Sequence, residues 1–292
     1  MKKKKISLGD WIFNIFLGLF FTLFTLICIY PFYYLIINTI SANDISANGQ
    51  IMFLPKGVNF KGYKQLASYA KLWTGYRNTI AYVIMGTLVT LVVNVPASYA
   101  LSRKHLYGRR FFTAFYLIPM FFTGGLIPTY LAVQRFHLLD TFWVMVVPFS
   151  VVTYYIIVGR TFFNNSIPED LWEAAQLDGC GYLGFFFKIV LPLSKAVIAV
   201  IALWAAVGQW NSFMDTYLYA KKLPTLQYKL YEIMNQATMK MDVHAGTNVQ
   251  TAVTPMSVRM AVTIVATVPI VIVYPFLQKY FIGGMTLGSV KD

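Results

Sequence analysis

Six apolar runs, each about 20 residues or longer, dominate the sequence: about 11–38, 77–101, 111–133, 141–160, 190–218 and 257–280. A helix of roughly 20 apolar residues crosses about 30 Å of hydrocarbon, so the pattern predicts an all-α membrane protein with six transmembrane helices. None of the runs alternates with the period of two that a membrane β-barrel needs. Composition agrees, with 58% hydrophobic and 12% charged residues, where soluble chains carry about 25% charged. A soluble enzyme, a disordered chain and a disulfide scaffold are thereby excluded. Cys28 and Cys180 lie in unlike segments, and His105, His137 and His244 are scattered. No disulfide framework and no metal site are expected. Residues 1–292 read as a single transmembrane domain.

Helix breakers punctuate the runs, with Pro119, Gly124, Gly125 and Pro128 in the third and Pro269 and Pro275 in the sixth. Backbone groups freed in lipid must find partners on neighbouring helices or in a wet cavity. The helices are therefore expected to pack around something. Lys2 to Lys5 precede an apolar run of nearly 30 residues with no small-residue cleavage site, which reads as an uncleaved first span. The short loop after the second run holds Arg103, Lys104, Arg109 and Arg110, whereas the next holds only Arg135 and Asp140. Positive residues in short loops mark the cytoplasmic side, which puts both termini inside. The external segments are nevertheless almost as basic, at +6 against +7 inside. Lys56, Lys61, Lys64, Lys71 and Arg77 face a single acid, Asp44. Two readings stay open here: a solvated loop near anionic headgroups, or a surface that meets an acidic partner or substrate.

Residues 160–195 are too polar to span. Within them Ser166 and Glu169 have capping-box spacing, Pro168 suits a first turn, Glu169 and Asp170 suit the positive end of a helix, and Gly179 suits the left-handed residue after one. The helix predicted over about 168–178 is too short to hold alone in water. It needs a partner surface, to which Leu171, Ala174, Ala175 and Leu177 supply small and apolar contacts.

The same stretch carries a specific resemblance. Glu173-Ala174-Ala175, three residues, Gly179, nine residues, Ile189, one residue and Leu191-Pro192 resemble, at every fixed position, the EAA loop of ABC-importer permeases. Nearly the whole chain is similar to carbohydrate-importer permeases, specifically the second permease subunit of the maltose type. Tyr76 to Thr79 and Ser98 to Arg103 resemble that family's pattern, Gly124 to Tyr130 and Trp210-Asn211 resemble a branch that imports oligosaccharides or polysaccharide fragments, and Gly283 to Lys291 is also similar.

The resemblance implies a type I importer permease of the bacterial cytoplasmic membrane, with a cytoplasmic coupling helix at 168–178. Glu173, Ala174, Ala175, Asp178 and Gly179 would meet a separate ATPase. Glu173 would pair with a base, Ala174 and Ala175 would allow close approach, and Asp178 is an alternative ionic contact. The implied partners are a homologous second permease, two ATPase subunits, an extracytoplasmic solute-binding protein and membrane lipid, with no nucleic acid. There is no Gly-x-x-x-x-Gly-Lys-Ser/Thr motif, so no cofactor is expected in this chain, and ATP and Mg would sit on the ATPase. The tail at 283–292 would reach toward that ATPase or fray. Lys61, Lys64 and Lys71, with Lys221 and Lys222 in a long external loop at 219–256, would dock the binding protein. The Gly75–Arg77 region and the 39–76 loop would complete that face.

Polar and aromatic groups inside the spans are candidates for the substrate path: Asn94, Gln209, Trp210, Asn211 and Asp215, with Tyr82, Tyr154 and Tyr155. Amides pair with sugar hydroxyls, and flat rings cover the apolar faces of pyranoses. Asn94 reads more readily as glue between helices, Trp210 and Tyr217 read also as interface aromatics, and Asp215 as a partner for Lys221 or Arg259. A self-sufficient secondary transporter predicts an internal repeat and a mid-span acid, and neither is present. An intramembrane enzyme predicts a nucleophile with its base or a metal cluster, and no such motif occurs. Within the importer reading, the basic exterior favours acidic saccharides such as uronate oligomers.

Overall fold

Every apolar run of the sequence carries helix. No strand occurs among the residues described in the computed structural model, which are 8–42, 46, 51–243 and 255–287. Three helices are long and apolar enough to cross a membrane alone: α1 (Leu8–Thr39), α3 (Ala70–Ser102) and the apolar part, Val258–Pro275, of α12 (Pro255–Leu287). A short α2 (Lys61–Ser68) precedes α3. Two further runs are bent pairs, α4 (Arg109–Phe121) with α5 (Leu126–Arg135) at 119°, and α8 (Tyr182–Leu193) with α9 (Lys195–Trp210) at 79°. Between the pairs lie α6 (Thr153–Ser166) and α7 (Glu169–Leu177). After them come α10 (Met214–Tyr219) and α11 (Leu226–Val243).

The sequence pattern predicts six spans; the third and fifth runs are bent, and the fourth departs furthest from a single helix. That run is a 3-10 turn, Phe142–Met145, an irregular link and then the 14 residues of α6. Fourteen residues at 1.5 Å each fall short of a bilayer. Pro148 interrupts the link, and the side chain of Asn94 takes up its loose backbone. Breakers also act unequally. In the third run two glycines lie between two prolines, and the chain turns at Gly125, whose φ is +84°. In the sixth run the helix continues through Pro269 and Pro275, because an isolated proline removes one hydrogen bond without supplying a flexible neighbour.

The chain divides into two compact units, Met1–Tyr69 with Glu232–Thr267, and Ala70–Tyr231 with Val268–Asp292. In the first, α1 is apolar and largely exposed, except at its end, where Ile37, Asn38 and Thr39 are buried. The residues after it fold back on its end. Ala42 N–H donates to the Lys56 carbonyl at 2.8 Å, Asn59 N–H to the Ile40 carbonyl at 2.8 Å, and Thr39 pairs with the Tyr63 hydroxyl at 2.8 Å.

In the second unit, α3 is the axis, packed along α9 and α6. Small residues set the approach: a Cβ on Gly159 would lie 2.6 Å from Ser98 Oγ, and one on Gly86 would lie 2.7 Å from Gln209 Nε2. Apolar side chains gather in two clusters along this axis. One joins Val95 to Phe163, Ile167, Ala175, Phe185, Val190 and Ile201. The other joins Tyr82 to Val133, Val144, Met145, Val146, Tyr219 and Ala220.

Candidate functional site

The polar segment builds a short helix that is held firmly on one face. Gly179, at φ +74°, ends α7. Its N–H donates to the Gln176 carbonyl at 3.0 Å, and the Cys180 N–H reaches the Ala175 carbonyl at 2.8 Å. These are the two bonds of a Schellman motif. Trp172 stacks on Tyr182 at 4.5 Å and meets Phe185 edge-on at 5.1 Å. Ala175 is buried in the cluster beneath. Glu173, Ala174, Asp178 and Gly179 are exposed, and Leu177 is 91% exposed.

Two expectations change here. Ala175 was placed with Ala174 on an outward face, but it sits against the chain's own core, where its small side chain lets α7 lie close to Phe163 and Phe185. The Ser166–Glu169 capping box does not form. Ser166 is the last residue of α6, and Pro168 is the N-cap of α7, with no side-chain hydrogen bond. The cause is Pro168 itself, which keeps the preceding Ile167 out of the helical region, at φ −124° and ψ 85°. Ser166 is thereby separated from the turn it was expected to cap.

The region carries two contacts that sequence reasoning missed. Arg103 Nη2 donates to the carbonyls of Phe163 at 3.3 Å and Ile167 at 3.1 Å. His105 Nε2 lies 3.4 Å from Glu169 Oε1. In the sequence Arg103 stood out only as a member of a basic turn, and His105 only as one of three scattered histidines.

The in-span polar residues separate into two groups. Asn94 is fully buried. Its Nδ2 donates to the carbonyls of Thr90 and Ser150 at 2.6 and 2.7 Å, and its Oδ1 accepts from Val152 N–H at 3.0 Å. Each polar atom of this amide is thus bonded to the chain's own backbone. Gln209 Nε2 donates to the Met145 carbonyl at 3.0 Å. Tyr82 donates to the Leu223 carbonyl at 2.9 Å, and Asn78 to the Pro224 carbonyl at 3.1 Å. Thr79 Oγ1 accepts from Leu226 N–H at 2.7 Å. Asn78 and Thr79 act with Tyr82 to tie 223–226 to α3, a role that only the fold reveals. Asp215 accepts from Ser212 Oγ at 2.8 Å, a partner other than the Lys221 or Arg259 expected of it. Asn211 is exposed.

Tyr154 and Trp210 belong to the second group. With Tyr155 they line a cavity of about 1120 Å³ among α3, α6, α9 and α12, together with Tyr76, Trp204 and Tyr274. Trp204 stacks on Tyr155 at 5.7 Å and lies 5.2 Å from Tyr154. No lining side chain is charged. The cavity offers ring faces and a few hydroxyls, which suits the apolar face of a sugar ring and does not discriminate charge. Trp204 was not singled out from the sequence, because its partners lie about 50 residues away.

The basic residues are exposed. Lys61 and Lys64 belong to the first unit, and Lys71, Lys221 and Lys222 to the second. Lys221 lies over the Tyr217 ring at 5.1 Å. Lys222 Nζ is 3.9 Å from Asp140 Oδ2, while its backbone N–H donates to Asp140 Oδ1 at 3.1 Å. The 219–256 segment is not a plain loop, since α11 occupies much of it; His244 lies outside the described residues. Gly283 and Gly284 continue α12 to Leu287 instead of forming a tail, and residues 288–292 lie outside the described residues.

Comparison with known proteins joins these observations. Residues 102–286 match the family described as binding-protein-dependent transport system inner membrane component. Protein LplC of Bacillus subtilis (strain 168) is 37% identical over 268 residues, which cover 91% of this chain and 90% of that protein. The polygalacturonan/rhamnogalacturonan transport system permease protein YtcP of the same strain is 34% identical over 283 residues, covering 96% and 98%. Among solved structures, a chain from the crystal structure of a bacterial ABC transporter involved in the import of the acidic polysaccharide alginate is similar, with TM-score 0.82 and 30% identity. The match covers 96% of this chain and all of that one.

Proposed function

The chain belongs to the family of binding-protein-dependent transport system inner membrane components, and on that premise we propose that it is one permease of an importer for acidic oligosaccharides, driven by an ATPase seated on α7. One observation carries the driving end. Trp172 and Ala175 fix the inner face of α7 to the bundle, while Glu173, Ala174, Leu177 and Asp178 stand free on the other side. A short rigid helix held in this way can pass on a domain rotation as a lever. Leu177 fills an apolar hole in the ATPase, and Glu173 or Asp178 meets a base beside it. ATP and Mg belong to the ATPase, of which the complex holds two copies.

A homologous second permease completes the pore. The basic turn from Arg103 to Arg110 and the α7 end face the cytoplasm, with both termini on the same side of the bacterial cytoplasmic membrane. The exposed Lys61, Lys64, Lys71, Lys221 and Lys222 meet an extracytoplasmic binding protein or its acidic cargo. Two similar proteins named for acidic polysaccharides support the substrate class. Within the path, the ring faces of Tyr154, Tyr155, Trp204 and Trp210 carry the sugar, while the lysines outside read its charge.

The test is a mild-detergent pull-down of the tagged chain from native membranes, followed by reconstitution and uptake of trigalacturonate against maltotriose. Recovery of an ATPase and a second permease, with faster trigalacturonate uptake, is expected. A chain that purifies alone and transports without ATP overturns the reading; faster maltotriose uptake overturns the acidic substrate. Glu173→Ala should lower uptake relative to ATP hydrolysis in the same vesicles.

A further inference from the structure

Two helices of the second unit end at the base of α7, and each end leaves carbonyl groups without an intrahelical donor. Arginines from the 103–110 turn supply donors to both. Arg109 Nε donates to the Leu101 carbonyl near the end of α3 at 3.0 Å. Arg103 does more. Its Nη2 reaches the carbonyls of Phe163 and Ile167 at the end of α6, and its Nε donates to Ser102 Oγ at 3.1 Å. Its guanidinium lies 5.0 Å over the ring of Tyr99. That ring in turn packs edge-on against Phe163 at 5.6 Å and lies 5.2 Å from Phe186.

Ile167 is the residue between α6 and the N-cap of α7. It is 2% exposed, so the carbonyl that Arg103 holds belongs to a buried joint. One side chain therefore connects the end of α3 to the residue that leads into α7. The other end of α7 is tied to α8 by the bonds at Gly179 and by the Trp172–Tyr182 stack. Toward α3, α7 is tied by the exposed His105–Glu169 contact and, through α6, by the apolar packing of Val95 and Tyr99 around Phe163, to which Arg103 adds a polar link at Ile167.

We propose that Arg103 is a positioning residue that makes α3 follow α7 during the transport cycle. This rests on the reading of α7 as the seat of the ATPase. Arginine suits the task because its planar fork can bond two carbonyls while its face stacks on a ring; lysine, a single point charge on a flexible stem, cannot do both.

The test uses the intact importer in liposomes. Spin labels are placed at Val92→Cys on α3 and Gln176→Cys on α7, both exposed, with Cys28 and Cys180 replaced by serine. The distance between them is compared without nucleotide and after vanadate trapping. The wild-type Arg103 background is expected to hold one distance in both states. Arg103→Ala, with its ATPase still bound, is expected to show a state-dependent distance. Arg103→Lys, which keeps the charge and a donor nitrogen without the planar fork, is expected to show a smaller shift and carries the test if the alanine variant fails to assemble. A constant distance in both variants, or a state-dependent one with Arg103 present, overturns the proposal. If the wild-type chain retains no ATPase, the α7 reading fails and this proposal falls with it.

Discussion

The two ends of the second unit handle polar groups in opposite ways. At the α7 end, the irregular backbone is completed by long basic side chains from a neighbouring turn, and acidic and apolar groups are left facing outward. At the end holding Tyr82, Thr216 and 223–226, short amides and hydroxyls are turned inward onto backbone. The difference follows from the solvent. Where no water reaches, every freed carbonyl and N–H must find a partner within the chain, and an Asn or Thr on the helix packed against it is the least bulky way to provide it. Near water the backbone can be completed from the surface, and side chains remain free to meet another protein. Substitutions at the two ends should therefore fail differently, one set through folding and the other through assembly.

Asn94→Ala should give the largest loss of stability. It leaves the Ser150 carbonyl and the Val152 N–H without their partner in a fully buried position. Each unsatisfied group costs about 1–3 kcal/mol. The expected result is a lower melting temperature in detergent and a lower yield of folded protein. An unchanged melting curve would place the amide among the path residues after all.

Gly159→Val comes next, at about 1–3 kcal/mol for overpacking, because its Cβ would stand 2.6 Å from Ser98 Oγ and 2.7 Å from Ser98 Cβ. Ser98→Gly in the same chain should recover part of that loss. A double-mutant cycle reads the recovery directly. Additive losses would mean that α3 and α6 are not in register at this crossing.

The same contrast shows what a sequence discloses. Gly179 was legible because a left-handed position has a one-residue signature, and the structure gives it φ +74°. The spacing of Glu173, Gly179 and Pro192 was legible for the same reason, being local in the chain. The capping box was misread because Ser166 and Glu169 have the right spacing whatever lies between, and Pro168 decides the geometry. Asn94 was visible as a polar residue in an apolar run, but nothing in the run tells whether its partner is a sugar or the Ser150 carbonyl 56 residues away. Arg103 was counted as a charge, since its bonds to Phe163 and Ile167 cross about 60 residues. The break in the fourth run had a readable signal in Pro148 and Ser150.

Lys222→Ala should have a small effect, about 0–1 kcal/mol, as an exposed ion pair does. Its Nζ is 3.9 Å from Asp140, but the firmer contact there is the backbone N–H of residue 222, which alanine keeps. Melting temperature in low and high salt should barely differ between the two proteins. Asp140→Ala should cost more than Lys222→Ala, since it removes the acceptor for that N–H and leaves alanine at φ +56°. An equal loss for both would give the ion pair a weight that this geometry does not provide.

Leu177→Asp should change the stability of the folded chain least, within about 0.5 kcal/mol, and sharpens the comparison most. Leu177 is the last residue of α7 and is 91% exposed, so the isolated chain loses almost no packing when it is replaced. If α7 seats an ATPase, the same change puts a carboxylate where an apolar hole must close. An unpaired charge buried at an interface costs several kcal/mol, enough to lower ATPase recovery in a pull-down by more than about tenfold. Asn94→Ala should do the reverse, lowering the yield of folded chain while the folded fraction keeps its ATPase. Normal ATPase recovery with Leu177→Asp would remove α7 from the interface, and a large fall in melting temperature would show that this face is already covered within the chain.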